Sequence, residues 1–317
     1  MKNKNKVKLL TTATLLTTFL INTGIQSSNQ IENNTAQAAT NKKKTKPSGQ
    51  KPKGKLGKKM GTPPSGKKPT GKPGQKPNGK PGKGGPNTQS YDYKGTLKAS
   101  LNVKSGTTKV GKKTITNNKT DQNVALVQKN GKLSLDGTKM KKTGNSKNDD
   151  SANFYGLDSI LLANGKNAVA TVKNATLTSK ATGANGIFAT NKGTVNVSNT
   201  KIKTTGKANS RGLDTTYGGK INANKVKIST KGDHSAAAAT DRGGGTVTVK
   251  NSKVTTKGTG SPLAYSTGTI YFDNVTGTAS GSQIAGMEGY NKIYLVNSNL
   301  TSTNNKISGS DPIKNGM

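Results

Sequence analysis

The sequence predicts an all-β chain whose bulk is a right-handed parallel β-helix, and three observations carry that prediction. First, a five-residue string recurs at 133–137, 170–174, 195–199, 221–225, 247–251, 270–274 and 293–297. Val195-Asn196-Val197-Ser198-Asn199 and Val247-Thr248-Val249-Lys250-Asn251 are typical. After a first spacing of 37, its last position returns every 23–26 residues. Second, each string alternates at period two, which turns its first and third side chains inward on a strand. Third, only 28% of residues are apolar while 40 of 317 are Gly. That is poor for an ordinary core, which draws on about 45–50% apolar residues. A thin stacked solenoid needs only a narrow column of apolar residues per coil, so the low fraction agrees with the repeat.

The chain opens with Lys2, Lys4, Lys6 and Lys8, then an apolar stretch from Leu9 to Ile25, then Ala36-Gln37-Ala38. Basic head, apolar middle and A-x-A exit predict a secretory signal over residues 1–38, and hence a secreted, extracellular protein associated with the cell wall. Thr and Asn interrupt the stretch, which makes it a poor span for a hydrocarbon layer of roughly 30 Å. With no Cys, a disulfide scaffold and a Cys-ligated metal are excluded.

Residues 39–90 form the next element. Within 40–88 lie 15 Lys, 11 Gly, 9 of the 11 Pro and no Asp or Glu. Such a segment cannot bury apolar surface and is expected to be a disordered basic linker. Its charge would attract polyanions by long-range, salt-sensitive forces. It has no aromatic residue to stack on bases, which disfavours nucleic acid as a dedicated partner. Anionic cell-wall or matrix polysaccharide is the expected partner class.

Residues 91–317 are assigned to the β-helix. Three residues after each string comes a second inward side chain: Met140, Leu177, Ile202, Ile228, Val254 and Leu300, with Gly277 as the exception. A third apolar stretch, such as Ile187-Phe188-Ala189, precedes each following repeat. Three short strands per coil with Gly, Asn and Ser turns, and no helix-length pattern, define the solenoid. Asn174, Asn199, Asn251, Asn274 and Asn297 read as a ladder of turn residues, since Asn tolerates left-handed backbone and its amides stack along an axis.

On this coil length, strand rhythm and set of Asn turns, the segment resembles the pectate-lyase-like parallel β-helix superfamily. More narrowly, it is similar to exported adhesin-like surface proteins of Gram-positive bacteria. The resemblance implies a scaffold that carries either a binding face or polysaccharide lyase or hydrolase chemistry.

For chemistry, Gly156-Leu157-Asp158 and Gly212-Leu213-Asp214 suggest equivalent carboxylates two coils apart, about 10 Å by stacking. Arg211 and Arg242 complete the candidate catalytic set. His234, alone in a turn, and Asp149-Asp150, in the insertion behind the 37-residue spacing, are weaker leads. One acidic pair falls far short of calcium's six to eight oxygen ligands, so no metal and no cofactor is expected. The balance favours a non-enzyme.

For binding, the outward residues beside the second inward column are Lys139, Lys141, Lys201, Lys203, Lys227 and Lys253. They predict a basic ridge able to dock an extended anionic polymer. Asn315-Gly316-Met317 repeats the opening of a third strand seen at Asn185-Gly186-Ile187. That predicts a chain truncated partway through a coil, with an open C-terminal coil available for self-association as a structural matrix protein.

Overall fold

A computed structural model describes residues 88–305. The signal segment 1–38, the linker through residue 87 and the chain end from 306, including the expected open terminal coil, lie outside the described residues. The described chain is a right-handed parallel β-solenoid of about eight turns. One sheet stacks the third strands of eight coils; a second, of 14 strands, stacks the first and second strands.

Pairing between coils is parallel and in register. The first inward column runs Leu133, Ala170, Val195, Ile221, Val247, Ile270, Ile293. The second runs Met140, Leu177, Ile202, Ile228, Val254, Gly277, Leu300. The first column from Leu133 to Ile270 and the second from Met140 to Val254 are buried in one continuous core. Burying a Val, Leu or Ile contributes about 1.5–3 kcal/mol, so a single column repeated through the coils holds a chain of low apolar content.

Between first and second strands the backbone turns on one left-handed residue. Gly137, Asn174, Asn199, Lys225, Asn251, Asn274 and Asn297 all have φ between 47° and 66°. Gly and Asn adopt this conformation at little cost, whereas Lys225 does not. The amide ladder is shorter than the Asn spacing suggests. Asn274 donates to Asn251 and Asn251 to Asn224, each at 2.9 Å, while Asn174 donates to Asp136 at 2.8 Å. At another turn the coils approach so closely that only Gly fits: a Cβ on Gly258 would lie 1.8 Å from the Gly232 carbonyl.

Three features depart from the sequence reading. An additional coil precedes the first string, with Thr107–Val110 paired to Lys132–Asp136 and Thr114–Asn117 to Lys139–Lys142. Its first inward position is Thr108, which breaks the apolar pattern, while Val110 and Ile115 pack against the core. The long insertion folds into one helix, Asp149–Tyr155, capped by Asn148 and ended by left-handed Gly156. Asp149 and Asp150 occupy its first turn, where they favour the helix dipole.

The third feature is an apolar outer face. On the eight-stranded sheet, the outward residues Leu126, Leu162 and Phe188 are buried by Leu97, Leu157 and Tyr155. The segment from residue 88 reaches several coils: Gln89 meets Gly243, Tyr91 packs edge-on against Tyr155 and Tyr217, and Leu97 joins the Phe188 cluster. The described residues around the boundary expected at 90/91 thus pack as a strap on the solenoid.

Candidate functional site

A shallow, open groove of about 570 Å³ runs along the bend between first and second strands. Lys201, Lys225, Lys227 and Lys253 line it, with Asn199, Asn251 and Asn274 beside them. No carboxylate lines it. Lys201 pairs with Lys227 and Lys227 with Lys253, so three exposed ammonium groups occupy one column in successive coils. Coils repeat at roughly 4.8 Å, so neighbouring charges repel by about 1 kcal/mol even in water. A row of this kind weakens the free protein slightly and is relieved by an anion that bridges it.

The other ridge residues are placed less favourably. Lys139 shares the column of Lys201 but is separated from it by Thr176. Lys141 and Lys203 share the next outward column, separated by Thr178 and followed by Ser229 and Thr255. Both are exposed. The continuous part of the predicted ridge is thus the stretch from Lys201 to Lys253. Sequence reasoning missed Lys225, because position five of a string reads as a turn.

Lys225 adds a fourth ammonium group to the groove. Six coils place Gly or Asn at the left-handed position and one places Lys, in the coil at the centre of the basic column. Lys225→Asn should raise stability by about 0.5–1 kcal/mol by relieving left-handed strain, and should weaken polyanion binding severalfold. Thermal unfolding and a binding titration on the same variant check both parts.

The candidate catalytic residues do not form one centre. Leu162, not Asp158, pairs with Phe188, and Phe188 pairs with Asp214. The column continues through Ala239, Tyr265 and Gly286. The matching Gly-Leu-Asp strings mislead because the helix insertion places the earlier one in a turn ahead of its strand. Asp158 is instead sealed against Lys142 at 2.9 Å, with both side chains fully buried. Burial pushes the Asp158 carboxyl up to about 6 against the opposing pull of Lys142, and burial also lowers the Lys142 ammonium. Lys142 was missed because it is a Lys in an inward column otherwise made of small or neutral residues, Asn117, Ser179, Thr204, Thr230, Thr256, Ala279 and Ser302.

Asp214 is buried and bound to Arg211 at 2.6 Å, and Arg211 also reaches Asp241 at 2.9 Å. Burial pushes the Asp214 carboxyl up to about 7, with Arg211 opposing and Asp241 reinforcing the rise. Burial works against the Arg211 charge, but the two carboxylates outweigh it and hold the guanidinium protonated. Arg242 stacks on Phe154 of the helix, 3.7 Å from the ring centre. A second cleft, about 450 Å³, lies beside this cluster and is lined by Arg211, His234, Tyr265, Gln283 and Glu288. There the Tyr265 hydroxyl donates to Glu288 at 2.6 Å.

Comparison with known protein families, with curated proteins and with solved structures finds no match for this chain.

Proposed function

We propose that this chain is an exported, surface-associated, non-enzymatic β-solenoid of the adhesin-like kind, which docks extended anionic polymers of a cell wall or matrix along its basic groove. The carrying observation is the aligned column Lys201, Lys227 and Lys253, with Lys225 held beside it at a backbone position better suited to Gly or Asn. Lys129 and Lys192, outside the groove, are left-handed too, so the support comes from the alignment of Lys225 with the column. The basic linker over 40–88 would add a second, nonspecific attraction, raising local polymer concentration at the groove. Support for the non-enzymatic reading over a lyase or hydrolase comes from the internal pairing of Asp158, Asp214 and Arg211.

The test is retention on an immobilised anionic glycan or polyphosphodiester across a salt series, for the full chain and for a chain lacking 40–88. Both should bind, both should weaken as salt rises, and the shortened chain should elute at lower salt. Salt-insensitive retention of the shortened chain would contradict an electrostatic groove.

A further inference from the structure

The buried Lys142–Asp158 pair takes no part in the groove, and its geometry is unusual for a simple ion pair. The Lys142 Nζ donates to the carbonyls of Lys119 and Gly144, each at 2.7 Å, and sits 2.9 Å from Asp158 Oδ1. Neither side chain is exposed to water. The two carbonyls fix the nitrogen and take two N–H bonds, which leaves its remaining direction for the carboxyl. Asp158 is delivered from the other side by a left-handed backbone, φ 68°, two residues after Gly156 ends the helix. A non-Gly residue in that conformation is held there by its surroundings.

We propose that Lys142 and Asp158 are joined by an intramolecular amide bond, formed within the folded chain. The reacting forms are a neutral amine and a protonated carboxyl. The Nζ lone pair forms a bond to Cγ of Asp158 and one C–O bond breaks. The departing oxygen takes the carboxyl proton and one amine proton and leaves as water. No oxidant, reductant or activated co-reactant is required.

Three physical factors favour the step. In water both groups would be ionised and unreactive toward each other, whereas a dry interior penalises two charges and favours the neutral pair. The directions of the two pKa displacements agree with that. Fixed contact replaces a bimolecular encounter, which is worth a large effective concentration. The product amide is also cheaper to bury than two ions. The bond would close a ring through the insertion helix and fasten it to the preceding coil, a covalent staple in a chain that has no cysteine.

Mass spectrometry of the purified full chain tests this. The expected result is a mass lower than the sequence requires by one water, and a branched tryptic peptide joining the segment of Lys142 to that of Asp158, with no cleavage after Lys142. Lys142→Arg should restore the full mass and abolish the branched peptide. A full-mass chain, with both segments recovered as separate linear peptides, would overturn the proposal. A water loss that maps to Asp136-Gly137, where a succinimide can form, would overturn it equally.

Discussion

Changing Lys201, Lys227 and Lys253 together to Gln should weaken binding to an anionic polymer roughly 100-fold at physiological salt, because each Lys near an anionic surface contributes about 1 kcal/mol. The three positions pair directly in successive coils and are exposed. At coil spacing each lies within one screening length, about 8 Å at physiological ionic strength, of its neighbour in the column, so a polymer meets them as one continuous field. The control is Lys166, Lys207 and Lys257, exposed residues outside the groove, changed to Gln in a second variant of equal net charge. That variant should lose much less affinity. Equal losses in the two variants would mean that net charge, not the groove, does the binding. All six side chains are exposed, so both variants should retain the wild-type unfolding temperature within a few degrees.

Arg211→Leu should destabilise the solenoid by about 3–5 kcal/mol at pH 8, since breaking a buried pair from one side strands the remaining charges. Asp214 is fully buried, and Arg211 is its partner and also that of Asp241. The penalty should shrink toward pH 5. The folded-state pKa of Asp214 is raised, to about 7, above its unfolded value. A raised carboxyl contributes stability that is fully present below the unfolded pKa and is lost as pH rises through the folded one. The wild type should therefore lose part of its stability between about pH 4 and pH 7, and Asp214→Asn should flatten that slope. Removing Arg211 lifts the carboxyl further, so the variant goes on losing stability above pH 7, and its penalty is smallest at mild acid, where the carboxyl is neutral in both proteins. Thermal unfolding from pH 4 to pH 8 on the three proteins reads these effects. A penalty for Arg211→Leu that does not change with pH would reduce the cluster to a packing contact.

The repeat was legible because a stacked β-coil writes itself twice. Val195, Ile221 and Val247 hold the same inward place, and the turn that follows each string demands a residue tolerant of left-handed backbone. Those two constraints act within one coil, so a single sequence carries them. The Lys201, Lys227 and Lys253 column was legible for the same reason, since alternation fixes which side chains point out. What failed was long-range. The Gly-Leu-Asp strings at 156–158 and 212–214 look equivalent, but the helix between the coils shifts one of them out of its strand. Lys142 was hidden because a Lys in an inward column is rational only beside Asp158, and that partner arrives from the insertion. The outer cluster around Phe188 was invisible because its cover, the strap through Leu97, comes from a segment adjoining the Gly- and Pro-rich linker.

Lysine acetylation with and without bound polymer tests the central claim most directly. With an anionic polymer present at saturating concentration, Lys201, Lys225, Lys227 and Lys253 should be protected from an amine-reactive reagent, while Lys166, Lys207 and Lys257 continue to react at their free rates. Protection spread evenly over all exposed lysines, or confined to the linker lysines with the groove unaffected, would contradict the account.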